Sequence, residues 1–516
     1  MSLLDVKNKV LGQTVVQHSS DLPGLFCERR IAYKTLEEPL YEERALEHCS
    51  TNRSHLLGLG YKLLVPVCDP EVIRNRQEVI RNFLTDFPDK KRYFPILNMM
   101  HLIDTWLSKT SDKEDSMGRP LFDAKRTAGA LDRYLLEADR LHEEFSRAGG
   151  LLSKLAQEYS EKSPRKATEQ VIEACRNGKF GCLIFVKDKG SYRVMGIAQN
   201  VTPKEGDFIS LGQHDLYEQL GWTNQDFIRR GACSLSNVLG RIYAPLLALY
   251  FEAAYINKRR EKGQRVCLPK INKEGVFEMV EGEPILETPE PVEWRSFRFD
   301  QKNSRALLNG LHSAGKTHLL MDIPLYVIRG LRGFSEPAYS AKIPIIKRII
   351  HSINIRKLSQ VGSLESELTR RAEEIMQARR GDLVLVDEFL MHASPDAADP
   401  LDPLILREYE NTQATFIVVD HRGEGIDETK WQFWSPGFRE DSEGKIFPTY
   451  KFEKGRPNLD ILKKHAIQLI RKIAQGQGLE EQKKPRPYES LSLPEQEWQW
   501  QWLDKIERRI LSGGYQ

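Results

Sequence analysis

The stretch Ala306-Leu307-Leu308-Asn309-Gly310-Leu311-His312-Ser313-Ala314-Gly315-Lys316-Thr317 decides how this chain is read. Ala306 to Asn309 has the pattern of a short buried strand, and Thr317 to Arg329 that of an apolar helix. Between them the glycines at 310 and 315 leave backbone N–H groups free of obstructing side chains. A helix N-terminus aimed at that turn favours an anion there. Lys316 is placed to reach the outer phosphates of a nucleotide, and the Thr317 hydroxyl to bind magnesium. The plain alternative is an ordinary glycine turn; the strand before and the helix after favour a phosphate loop from Gly310 to Thr317.

Some seventy residues on comes Gly381-Asp382-Leu383-Val384-Leu385-Val386-Asp387-Glu388. Four apolar residues predict a buried parallel strand with two carboxylates at its C-terminal end, where ligands bind in open α/β sheets. Asp387 would hold magnesium through water, and Glu388 would orient the attacking water in phosphoryl transfer. Taken alone, such a pair also reads as a helix N-cap. Thr415 to Val419 is a further buried strand, ending in Asp420-His421, and His421 is a candidate for touching a γ-phosphate. Ser363 precedes a helix predicted to run to about Arg379; from the residues alone its plainer reading is an N-cap.

The 516 residues suffice for two to four domains. Apolar residues at 40% and charged residues at 29% are globular values, which exclude a largely disordered chain. A net charge of +3 permits a nucleic-acid partner without demanding one. Seven cysteines without a CxxC pair argue against a disulfide framework or zinc ribbon. The charged first thirty residues do not read as a secretory signal, and nothing reaches eighteen consecutive apolar residues. A cytoplasmic protein with no membrane partner is expected.

Residues 40 to 175 read mainly helical. Cys182 to Gly196 reads as a β-hairpin, and helix resumes from about Leu216 to Lys262. Strands alternating with helices from Trp294 to Val419 predict an α/β domain. The expected division is a mainly helical region over 1–265 with a small hairpin insert near 180–210. An ATPase domain over 266–475 follows, and 476–516 forms a linker and C-terminal helix.

The order of phosphate loop, serine before a helix, acidic strand and histidine resembles the ABC-type ATPase domain of the MutS family of DNA mismatch-repair proteins. Ser363, Glu367, Leu368 and Thr369 match its signature, and His421 its histidine. Pro66, Asp69, Ile73 and Arg76-Gln77-Glu78-Val79 look like its core-domain motif, in which Arg-Gln opens a helix. Glu283-Pro284-Ile285-Leu286 resembles the stretch before the ATPase, with Glu283 where the family usually has histidine. The likeness implies ATP and Mg2+ as cofactors, with Gly310, Leu311, His312, Ser313, Ala314, Gly315, Lys316 and Thr317 around the phosphates. It implies Thr317 and Asp387 at the metal, Glu388 and His421 in hydrolysis, and a homodimer in which Ser363 reaches the partner's nucleotide. DNA is the implied partner. Lys187, Lys189 and Arg193 are then candidates for phosphate contact, or residues of a solvated turn.

Two departures stand out. Mismatch-reading members carry Phe-x-Glu in an N-terminal domain; Phe26-Cys27-Glu28 lies only some forty residues before the core-like motif, so that domain is expected to be absent and the tripeptide fortuitous. After Asp387-Glu388 the usual Gly- and Ser/Thr-rich loop is replaced by Phe389-Leu390-Met391-His392. Three functions follow: a dimeric ATP-dependent clamp on duplex or branched DNA, an assembly factor gripping a protein or ribonucleoprotein, or mismatch repair with the reader on another subunit. Lys258-Arg259-Arg260-Glu261-Lys262 with Arg265 is the clearest basic cluster, and it also reads as compensation of a helix dipole.

Overall fold

A computed structural model describes residues 32–33 and, with interruptions, residues 60–468. The chain divides into two compact units. One holds residues 45–268 together with Ile328–Ser335 and the first thirty residues, the other Ile31–Arg44, Pro269–Val327 and the remainder.

The first unit is built on helices α1 (Pro70–Leu84), α2 (Ala124–Ala148), α3 (Gly150–Lys162) and α4 (Asn224–Glu261). In α1, Asp69 caps the first turn by accepting from the Glu71 N–H at 2.9 Å, and Pro70 stands at N1, where its missing N–H costs nothing. Val72, Ile73, Arg76, Gln77, Val79, Ile80 and Phe83 form its buried stripe at three- and four-residue spacing. The family resemblance puts Arg76-Gln77 at a helix start. Instead the helix opens at Pro70, because the cap and the proline lie there, and Arg76 is buried in its second turn. Its guanidinium donates to Val65 O at 2.7 Å and Arg332 O at 3.2 Å. The core gathers Phe83, Tyr93, Phe145 and Tyr250, with Phe83 meeting Tyr93 and Tyr250 edge to ring at 5.3 Å. A separate antiparallel sheet, β3-β2-β4, comprises β2 (Cys182–Asp188), β3 (Ser191–Ile197) and β4 (Phe208–Gly212). The predicted hairpin is β2–β3, in register from Leu183↔Ile197 to Asp188↔Ser191; β4 is a third strand not foreseen.

The second unit is α/β. Its seven-stranded sheet takes β1 (Ala32–Tyr33), β8 (Arg305–Asn309), β10 (Arg348–Ser352), β11 (Asp382–Val386), β12 (Thr415–Asp420), β13 (Gln432–Glu440) and β14 (Ile446–Lys454). They lie in the order β1-β10-β11-β12-β8-β13-β14. Every pairing is parallel except β13–β14. Continuous burial along β11 and β12 is what a parallel sheet covered on both faces requires. Helices α5 (Lys316–Arg332), α6 (Leu364–Gln377) and α7 (Pro395–Asn411) follow β8, β10 and β11 in the chain. A second sheet, β5-β9-β6-β7, contains β5 (Lys270–Asn272), β6 (Phe277–Gly282), β7 (Arg295–Phe299) and β9 (Ser340–Pro344), with Phe277, Phe297 and Phe299 packed ring against ring.

Among the described residues, no helix is long and apolar enough to cross a membrane.

Candidate functional site

Strand β8 ends at Asn309, and the next residue, Gly310, has φ +143°. A Cβ there would lie 2.8 Å from Pro436 Cδ and 2.9 Å from its Cγ, so Pro436 of β13 presses on the start of the loop and admits only glycine. Gly315, at φ +84°, precedes α5, and its carbonyl accepts from the Leu319 N–H at 3.0 Å. The first N–H groups of α5 therefore begin at Lys316, with no carbonyl of their own helix to meet. Lys316 is buried, and its Nζ donates to Gly310 O at 2.6 Å, which bridges the two ends of the loop.

Asp387 follows β11 directly and is 4% exposed. The Thr317 hydroxyl donates to Asp387 Oδ1 at 3.3 Å across a sequence separation of 70 residues. Strands β8 and β11 are not neighbours, for β12 runs between them. The register nevertheless brings their C-terminal ends level. Val386 pairs with Val418 on one side of β12, and Asn309 with Asp420 on the other. Asn309, Lys316, Asp387 and Asp420 thus form a buried polar group at the carboxyl edge of the sheet. A threonine hydroxyl beside a carboxylate is an oxygen donor set suited to magnesium, which completes its shell with water and phosphate oxygens.

Leu311, His312, Ser313, Ala314, Ser363, Glu388 and His421 lie outside the described residues, as do Lys189 and Trp294. Their chain neighbours are described: Gly310 and Gly315 bracket the loop, Leu364 opens α6, Asp387 and Phe389 flank Glu388, and Asp420 precedes His421. The sequence reading missed Pro436. Its contact with Gly310 joins segments more than a hundred residues apart, and the only local signal was the Ser435-Pro436-Gly437 turn chemistry. It also missed His351 of β10, in register with Leu385, whose imidazole is driven by burial from 6.5 down to about 3 and so stays neutral.

Lys258, Arg259 and Arg260 lie in the last turn of α4. Gly263, at φ +67°, closes it with N–H bonds from Gly263 to Arg260 O and from Gln264 to Arg259 O, a Schellman cap. Arg259 donates to Arg265 O at 3.1 Å and lies over the Tyr255 ring.

No protein-family model matches the chain. Among curated proteins it is similar to DNA-binding protein MutS2 of Pyrococcus furiosus, 28% identical over 165 residues, covering 31% of this chain and 29% of that one. Endonuclease MutS2 of Carboxydothermus hydrogenoformans is 24% identical over 281 residues, covering 53% of this chain and 34% of the relative. Endonuclease MutS2 of Clostridium tetani is 23% identical over 225 residues, covering 42% and 28%. The chain thus spans about a third of the length of the curated relatives it matches. Over these stretches the chain is similar to three MutS2 proteins, and the order of its motifs resembles that of the MutS family.

Proposed function

We propose that this protein binds and hydrolyses ATP at the carboxyl edge of the seven-stranded sheet and uses that cycle to act on DNA as a MutS-type homodimer. The observation that carries the reading is the Thr317–Asp387 contact of 3.3 Å, with Lys316 on the Gly310 carbonyl at the same point. Residues 266–475 are then an ABC-type ATPase domain. The loop from Gly310 to Thr317 cradles the phosphates with backbone N–H groups, and the Lys316 ammonium exchanges Gly310 O for an outer phosphate oxygen. Thr317 and Asp387 would hold Mg2+, which when bound neutralises charge on the phosphates. Glu388 would orient the attacking water and take its proton, His421 would contact the γ-phosphate, and Ser363 would reach the nucleotide of the partner subunit.

DNA enters as a partner through the names of the relatives, one a DNA-binding protein and two endonucleases. Residues 1–265 then serve as core and lever, with the β2–β4 sheet as the clamp that meets duplex or branched DNA. In this reading the protein works in repair or recombination in the cytoplasm, and residues 476–516 form a linker and terminal helix.

The test is ATP binding and turnover by wild type and Lys316→Ala, without DNA and with matched, mismatched and branched duplexes. Wild type should turn over ATP and Lys316→Ala should lose nucleotide binding. Unchanged affinity in that variant would remove the site from the Gly310–Thr317 loop. Absence of binding to any DNA at low salt would leave a nucleotide-driven grip on a protein or ribonucleoprotein. A clear preference for the mismatched duplex would point to mismatch repair.

A further inference from the structure

The segment after Asp387 is where this chain departs from the MutS pattern, and the first residue beyond the acidic pair, Phe389, is held from three sides. Its backbone N–H donates to Val419 O at 3.1 Å, on β12 beside Asp420. Its ring packs at 6.1 Å from that of Tyr409, which stacks at 4.2 Å on Phe416. Above the Phe389 ring, at 5.6 Å from its centre, sits the Arg371 guanidinium of α6. Arg371 is 1% exposed, and so is an unusual element of an apolar core that also contains Val384, Val386 and Val418.

This charge is tied in place. Arg371 Nη1 donates to Glu374 Oε1 at 2.7 Å, and the Tyr409 hydroxyl donates to Glu374 Oε2 at 2.5 Å. Burial opposes the Arg371 charge, yet Glu374 and Tyr409 outweigh it and raise the pKa above its ordinary value. Burial first, and Glu374 second, push the Tyr409 phenol well above its ordinary value. Both groups therefore keep their protons near neutral pH. A buried ion pair gives little net stability compared with apolar residues of the same volume, so stability alone does not account for it. It does supply a cation at one defined point, over the ring of Phe389.

We propose that Arg371, anchored by Glu374 and Tyr409, is a positioning residue for hydrolysis: by clamping the Phe389 ring it sets the backbone that follows Asp387 and carries Glu388. The inference rests on the proposed role of Glu388 in orienting water. A small displacement of such a group costs turnover far more than binding, because orientation matters at the transition state. The same residues join α6 to the segment that follows the acidic strand end.

The test uses the full chain and a paired change, Arg371→Met with Glu374→Gln, which removes the cation without leaving a buried carboxylate unmatched. Phe389→Leu is a second variant that leaves the Arg371–Glu374 pair intact. Amide exchange at Phe389 should rise about tenfold in both, with β11 and β12 unchanged. The turnover number should fall about tenfold, with affinity for a non-hydrolysable ATP analogue within twofold of wild type. Unaltered exchange at Phe389 would overturn the proposal, as would turnover and affinity declining together. Should wild type bind no ATP, the nucleotide reading fails separately, and the exchange measurement still decides whether Arg371 holds this segment.

Discussion

At the scale of single residues, the site depends on a few side chains whose spacing along the chain already describes their chemistry. Lysine then threonine after a second glycine, and a carboxylate pair after four apolar residues, are local patterns. Glu388→Gln, a change of one atom that keeps the size, is expected to preserve ATP binding and slow turnover by a hundredfold or so, roughly the worth of a general base. Single-turnover kinetics beside nucleotide titration would check it, and normal turnover would mean that another group orients the water. His351 offers a different measurement. Its folded-state pKa of about 3 lies below the ordinary 6.5, so the unfolded chain takes up the proton first as pH falls. Stability is therefore undiminished above pH 6.5 and declines from there towards pH 3. His351→Leu should lose less in Tm than wild type between pH 7 and pH 5; parallel losses would show that this histidine is not buried neutral. Nothing in the local sequence marks His351, because desolvation depends on what packs above a strand, not on the strand.

Among the elements, two helix ends built alike allow backbone cost and packing cost to be separated. Helices α4 and α5 both close in Schellman caps, on Gly263 at φ +67° and Gly333 at φ +84°. A Cβ on Gly263 meets nothing within 4 Å, whereas one on Gly333 would lie 2.9 Å from Arg76 Cβ and 3.1 Å from Ile73 O. Gly263→Ala should cost about 1 kcal/mol, the left-handed conformation alone. Gly333→Ala should cost about 2 kcal/mol more, since α1 cannot retreat without disturbing the Arg76 bonds to Val65 and Arg332. Equal losses in urea denaturation would show that α1 yields freely. Residues 328–335, the end of α5 and its cap, belong to the first unit, where Glu252 accepts from the Ser335 N–H at 2.8 Å, the Ser335 hydroxyl at 2.5 Å and Arg329 Nη2 at 3.4 Å. Most of these elements were legible: β8, β11, β12, α4 and the β2–β3 hairpin lie close to where periodicity and turn residues predict them. The start of α1 was not, because the family motif opens its helix at Arg76-Gln77, whereas the Asp69 cap and Pro70 start this one a turn and a half earlier.

For the whole molecule, the proposed ATP cycle is expected to act through a grip on DNA. A net charge of +3 over 516 residues means that any grip on DNA comes from local cations rather than bulk attraction. If the β2–β4 sheet is a clamp with a few phosphate contacts, the affinity should fall by about tenfold or more between 50 and 200 mM salt, through counterion release. Lys187→Ala with Arg193→Ala should flatten that dependence in a filter-binding or anisotropy titration. A slope unaffected by both changes would move the DNA surface elsewhere. The sequence by itself determined the strand and helix on either side of Gly310 and Gly315, the acidic strand end and the alternation of strands and helices, since each is written in residues only a few positions apart. Tertiary structure alone decided that β12 lies between β8 and β11, that Pro436 seals Gly310, that Thr317 meets Asp387, and that a buried Arg371 stands over Phe389. Those are contacts between segments distant along the chain, and strand order and core packing, which no local spacing encodes, are what bring them together.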